Sequence, residues 1–355
     1  MNARVLLVVV SCVLSVVTGL VLARRGESEA HAGAAGKKPL IGLSLDTLKE
    51  ARWQSDRDMI VKRVKELGGD ILDTAANSDD SVQIGDVEKL ITNKIDVLII
   101  VPHDGKAMAK AVTMAHDAGI PVISYDRIVR DADLDLYVSF DNTKIGVLQG
   151  QYLVDHLPTP GKGKIIRIYG AKTDDNARML KEGQDKVLAP YIARGDLKVV
   201  HEDWADDWKP EVAKRIVNAA ITEHGGDFDA ILASNDGTAG GAIQALTEEG
   251  YAGKKMVTGQ DAELVACQRI IAGTQAMTIY KPPTVEAVNA AELAVKLALH
   301  KPVIAGQSVN NGKVSVPSAL SEPIVVTREN MAQTVVKDGF HSQQEVYGAS
   351  APKAP

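Results

Sequence analysis

The stretch IDVLIIV (95–101) carries β-branched and aliphatic residues with no alternation beyond its single Asp. A strand with one wet face alternates apolar and polar side chains. A run that is apolar throughout suits a parallel strand covered on both faces. The same unit recurs on either side of it. LIGLSL (40–45) precedes a helical pattern over 53–67, and a strand at 70–75 precedes a helix at 82–92. The run at 95–101 leads into a helix over 106–118 that stops at Gly119, a residue suited to the position after a helix end. Strands follow at 120–125 and 136–140. A second series then opens with a helix over 145–156, halted before Pro158. Strand 164–169 leads to helix 176–188, and strand 197–201 to helix 210–223 with Pro210 in its first turn. Strand 230–233 leads to helix 238–249, ended by Gly250. Strand 255–258, helix 264–272, strand 275–280 and an Ala-rich helix over 284–299 complete the series. Repeated β-α units predict an α/β chain with doubly wound parallel sheets, and there are enough units for two such lobes.

Composition agrees. The chain has 355 residues, 24% charged and 45% hydrophobic, which fits two globular domains. With only 3 Trp, 8 Tyr and 3 Phe, the core has to be built from Val, Ile, Leu and Ala. The formal net charge is −6, and no basic stretch exceeds a pair, which argues against a nucleic-acid partner. Of the two cysteines, Cys12 lies in an N-terminal apolar run and Cys267 in the body, so no disulfide framework is expected. Residues 5–23 are apolar, small or hydroxyl-bearing, follow Arg4 and precede Arg24-Arg25. With Ala30-His31-Ala32 as a small-x-small site, residues 1–32 read as an export signal. The competing reading is an uncleaved anchor, since the apolar run is long enough to span a bilayer. Residues 33–38 read as a flexible lead-in and 348–355 as a disordered tail.

Ligands of open α/β sheets sit beyond the carboxyl ends of the strands. Those exits are rich in polar groups here. Asp46 and then Arg52-Trp53 follow the first strand, and Asp126-Arg127 follow 120–125. Asp174-Asp175-Asn176 follow 164–169, and Trp204 and Trp208 follow 197–201. Asn235-Asp236 follow 230–233, Gln260-Asp261 follow 255–258, and Lys281 follows 275–280. Taken singly, each has a plainer reading. Asn235 is a natural helix cap, Asp126-Arg127 a surface ion pair, Trp53 and Trp208 core aromatics, and Lys281 a solvated loop charge. Their recurrence at one end of successive strands points instead to a shared site. Carboxylates accept from sugar hydroxyls, Arg and Lys donate to them, and Asn does both. An indole from each lobe suits the apolar faces of a sugar ring. An enzymatic alternative would use Asp126 and Asp261 as an acid/base pair. The neighbouring Arg and Lys weigh against it, because they keep carboxylates ionised.

Other chemistries lack their motifs. No G-x-x-x-x-G-K-[ST] occurs, no H-E-x-x-H or Cys/His cluster, and no G-x-S-x-G. Asp131, Asp133 and Asp135 imitate the start of a calcium loop, but Leu136 and Asn142 occupy the Gly and Glu positions. No cofactor and no metal are expected.

The stretches ARWQSDRD (51–58), SYDR (124–127), YVSFDN (137–142), DNA (175–177), SNDGTAGGAIQAL (234–246), GQDAEL (259–264), IAGTQAMTIYKP (271–282) and VVKDGFH (335–341) together resemble the type I periplasmic sugar-binding proteins of bacterial ABC importers. The resemblance runs from about 39 to about 341. It implies two lobes joined by a three-crossover hinge and closing over a sugar. The first lobe would comprise 39–142 plus about 283–310, the second 143–282 plus about 311–341. It implies a ligand set of Arg52, Trp53, Asp126 and Arg127 from the first lobe, Asp174, Asn176, Trp208, Asn235 and Asp261 from the second, and Lys281 beside a crossover. Trp53 and Trp208 would stack on opposite sugar faces, leaving Trp204 structural. One departure is YGAKT (169–173), where the family usually carries a loop richer in Gly and Ser. The implied molecule is a monomeric, non-enzymatic periplasmic receptor for D-xylose or a closely related monosaccharide. Its partner would be an ABC permease with a separate ATPase subunit, or alternatively a sensor kinase or chemoreceptor.

Overall fold

A computed structural model describes residues 38–348. The expected signal over 1–32, Cys12, and nearly all of the lead-in and tail lie outside the described residues. The chain runs through β1 (Leu40–Leu45), α1 (Ala51–Glu66), β2 (Asp70–Ala75), α2 (Asp80–Thr92), β3 (Val97–Ile100), α3 (Ala109–Asp117), β4 (Val122–Tyr125) and β5 (Leu136–Phe140). It continues through α4 (Asn142–His156), β6 (Gly163–Tyr169), α5 (Asp175–Ala193), β7 (Leu197–Trp204), α6 (Pro210–His224), β8 (Ala230–Ala233), α7 (Asp236–Glu248), β9 (Met256–Val257), α8 (Leu264–Ala272) and β10 (Thr278–Tyr280). It ends with α9 (Pro283–Ala298), β11 (Gln307–Asn310), β12 (Ser315–Ser321), β13 (Ile324–Val326) and α10 (Gln343–Tyr347).

Two sheets, parallel except for the edge strand β11, form two lobes. The first has the order β11-β12-β5-β4-β3-β1-β2, the second β7-β6-β8-β9, and β10 and β13 pair antiparallel beside the second. The unalternating run at 95–101 is explained by its position. β3 is flanked by β1 and β4, and all four of its residues are buried. Val97 and Ile99 enter the core on one face, under Ala287, Ala290, Ala291 and Ala294 of α9. Leu98 and Ile100 enter the core on the other face, against Ala111, Val112 and Ala115 of α3. Small alanines let α9 lie close to the sheet, so aliphatic side chains fill the first lobe with one indole, Trp53, among them.

The chain passes from the first lobe to the second after β5, returns after β10, and crosses again after β12. This corrects the boundary expected near 310. β12 lies parallel to β5, with Ser318 beside Tyr137 and Ser321 beside Phe140. It therefore extends the hydrogen-bond ladder of the first sheet, and the third crossover falls at 322–323.

Candidate functional site

Ten strand-exit residues line one cavity between the lobes: Arg52, Trp53, Asp126, Arg127, Asp174, Asn176, Trp208, Asn235, Asp261 and Lys281. Parallel strands bring this about. All their carboxyl ends point the same way, so exits far apart in sequence meet in space. Glu50, Gln260 and Glu263 line it as well. Gln260 stands at the exit of β9. Glu50 and Glu263 had no signal beyond adjacency to Arg52 and Asp261.

Asp126 is the hub. Its carboxylate accepts from Arg52 Nη2, from Lys281 Nζ at 3.2 Å and from Asn176 Nδ2 at 3.0 Å. Its backbone is left-handed, with φ 55°. Tyr137 Oη and Ser139 Oγ, both from β5, donate to its carbonyl at 2.7 and 2.8 Å and hold that conformation. Burial alone would raise the Asp126 pKa. Arg52, Lys281 and Arg127 outweigh it and hold the carboxyl well below the usual range. Lys281 also reaches Asp261 Oδ1 at 3.0 Å, and Arg52 reaches Glu286 at 3.0 Å and Asp261 at 3.4 Å. Carboxylates of both lobes thus share two buried cations.

Arg127 makes a second bridge. It donates to Asp46 at 2.7 Å in its own lobe and lies 2.9 Å from Asp174 in the other. Asp174 caps α5 by accepting from Asn176 N at 2.9 Å, and accepts from Trp208 Nε1 at 3.1 Å. It orients both an Arg and an indole. Asn142, at the start of α4, donates to Asn176 Oδ1 at 3.0 Å and so fixes that amide with its nitrogen toward Asp126.

The plainer readings survive in part. Asn235 caps α7, with its Oδ1 accepting from Thr238 N at 2.9 Å, yet it also lines the cavity. Trp53 belongs to the first lobe's core and to the cavity wall together, with the Arg52 and Arg127 guanidinium carbons 4.6 and 5.2 Å from its ring centre. Trp208 reaches the cavity from a turn in which Asp207 and Trp208 are both left-handed, at φ 53° and 57°. Its ring lies on Gly170, where a Cβ would come within 2.1 Å. Trp204 packs instead against Tyr169 in a tilted pair, at 4.8 Å between ring centres, and does not line the cavity.

Sequence reasoning missed the supporting layer: Glu286 on α9, Asp56 on α1, and Tyr125, whose hydroxyl donates to Asp56 at 2.9 Å. Burial, opposed by Arg52, lifts Asp56 to about 6. Glu286 was detectable, because it interrupts the alanine stripe of α9 on the buried face. Among the described residues no group of His, Cys, Asp and Glu gathers as a metal site, and no helix is long and apolar enough to cross a membrane. Cys267 is buried and free.

Against known proteins, the periplasmic binding protein domain pattern matches residues 41–302. The chain is similar to a D-xylose-binding periplasmic protein of Haemophilus influenzae, 44% identical over 323 residues that cover 91% of this chain and 96% of that one. It is equally similar to a D-xylose-binding periplasmic protein of Escherichia coli, 44% identical over 316 residues that cover 89% and 95%. Among solved structures it resembles a carbohydrate transporter solute binding protein from Chloroflexus aurantiacus in complex with D-glucose. That match has a TM-score of 0.82 and 33% identity, covering 87% of this chain and 98% of that one.

Proposed function

This chain belongs to the periplasmic binding protein family, and from that premise we propose that it is the substrate-binding component of an ABC importer that takes D-xylose, or a closely related monosaccharide, between its lobes. The observation that carries the proposal is the convergence of ten strand-exit residues of both lobes on one cavity. Its chemistry is that of a polyol site. Asp126, Asp174 and Asp261 are acceptors, Arg52, Arg127 and Lys281 are donors, and an Asn amide such as that of Asn176 can do both. Asn235 spends its oxygen on the α7 cap, so its amide nitrogen is the group it offers the sugar. Trp53 and Trp208 come from different lobes and suit the two apolar faces of a sugar ring.

The protein is a receptor and not an enzyme. Its relatives at 44% identity are D-xylose-binding periplasmic proteins. Asp126 is kept ionised by Arg52 and Lys281, and Asp261 shares the same two cations. Asp126 is thereby fitted to accept hydrogen bonds rather than to donate a proton.

Because the sugar would touch both lobes, it stabilises the closed arrangement by its differential affinity for it. A permease that reads the closed shape then receives loaded receptor only. The periplasm, entered through the signal at 1–32, is the compartment this reading requires. Calorimetry against D-xylose, L-arabinose, D-ribose and D-glucose tests it. D-xylose is expected to bind most tightly. Tight binding of another of these sugars without D-xylose overturns the specificity, and turnover of an aryl xyloside overturns the receptor.

A further inference from the structure

We propose that His103 is a positioning residue that clasps the two lobes through Asp207, so that the protein holds its sugar more tightly when this imidazole is doubly protonated. His103 follows β3 on the first lobe. Asp207 lies on the second, in the turn Asp206–Trp208 that carries the indole to the cavity. The ring Nδ1 is 2.9 Å from Asp80 Oδ1, and Nε2 is 3.5 Å from Asp207 Oδ1. Both nitrogens therefore face carboxylate oxygens. A neutral imidazole has one N–H and satisfies one of these partners, whereas the imidazolium donates to both. His103 lines the outer cleft and not the sugar cavity, so it acts on the sugar through the turn.

The backbone supplies a second, independent observation. Asp207 is left-handed at φ 53°, a conformation that favours glycine and that Asp tolerates better than most. A side chain kept at such a position calls for a role. Here the carboxylate is gripped on one side by Lys209 Nζ at 2.7 Å and on the other by His103.

The charges facing the ring set the direction of its pH response. Asp80 faces it from α2, Asp46 from the exit of β1, where Arg127 pairs with it, and Asp207 with Lys209 from the turn. Burial lowers the His103 pKa, but Asp80, Asp46 and Asp207 outweigh it and hold it above 6.5. Opening the lobes removes Asp207 and lowers that value. The clasp is therefore complete below the open-form pKa and is lost as pH rises through the closed-form pKa. Glu50 and Glu263 also line this outer cleft, so the difference between wild type and a His103 variant isolates the ring.

The test is the D-xylose Kd of wild type, H103Q and D207N at about pH 6 and about pH 8. Wild type is expected to weaken about three- to tenfold between them. H103Q and D207N should lose most of that change and bind at the lower pH as wild type binds at the higher. A pH slope in H103Q equal to that of wild type overturns the clasp. The inference rests on the sugar-receptor reading, and the two fail differently. A wild type that binds no monosaccharide sinks the receptor. NMR titration of His103 in wild type and D207N then still decides the clasp, which is overturned by a pKa that does not fall in D207N.

Discussion

Trp208 and Trp204 stand four residues apart in sequence and do different work. Trp208 rests on Gly170, donates to Asp174 and walls the cavity, whereas Trp204 covers Tyr169 outside it. Truncating an aromatic that is central to a binding site typically costs ~2 kcal/mol or more, about 30-fold in Kd. We therefore expect Trp208→Ala to weaken D-xylose binding by at least about 30-fold and Trp204→Ala to leave it within about threefold. Calorimetry decides, and equal losses would refute the assignment. Asn235 permits a finer separation. Asn235→Ala removes the cap of α7 and should cost ~1 kcal/mol of stability, while Asn235→Ser keeps a capping oxygen and loses the amide nitrogen. The Ser variant is expected to melt like wild type yet bind sugar more weakly, and wild-type affinity in it would show that Asn235 only caps. These cavity residues were legible because strand exits are where a parallel sheet delivers side chains. Tyr137, Ser139 and Asp56 were not, because a buried polar group within an element carries the same sequence signal whatever it supports.

The second lobe turns on a close crossing of two helices. On α4, a Cβ at Gly146 would lie 2.0 Å from the Leu180 carbonyl oxygen of α5, and one at Gly183 would lie 2.0 Å from that of Thr143. Backbone on both sides leaves no flexible side chain to yield. Gly146→Ala should therefore destabilise by about 1–3 kcal/mol or more, although Ala is the better helix former. Gly85 on α2 is the control, for a Cβ there meets nothing within 4 Å. Gly85→Ala should stabilise by ~0.5–1 kcal/mol. Thermal unfolding checks the pair, and a shift of the same sign in both would refute the packing argument. Helices and buried strands were readable from hydrophobic period, with ends displaced by a few residues. The helix expected over 106–118 begins at Ala109, because Asp104 accepts from Lys106 N and Ala107 N and holds a turn before it. The hairpin β11–β12 was not read. It lies at a sheet edge, and its Ser and Asn residues show little apolar pattern. Its one signal was Asn311-Gly312, a dipeptide suited to a tight reversal between strands.

At the scale of the whole molecule, the lobes meet through charge. Arg52 with Asp261, Lys281 with Asp126, and Arg127 with Asp174 all join groups on opposite sides of a crossover. Buried ion pairs give back much of their attraction as desolvation, so such an interface holds the lobes without locking them. Its carboxyls do not titrate alike. Asp126, with its pKa lowered, contributes stability that is present above its unfolded value of 3.8 and is lost only on further acidification. Glu263 runs the other way. Burial, then repulsion from Asp261, raises it from 4.5 to about 7 against the pull of Arg269. Between those values the folded carboxyl keeps a proton that the unfolded one has released, so stability falls as pH rises across this window and levels off above it. We expect the melting temperature to drop by several degrees from about pH 4.5 to about pH 7. E263Q, which carries no charge to expose, should show a shallower fall and melt above wild type at the upper end. An unchanged slope in E263Q would place the titration elsewhere. The physical consequence is that these two carboxyls together favour the fold most where Glu263 is neutral and Asp126 is charged, on the acid side of neutrality.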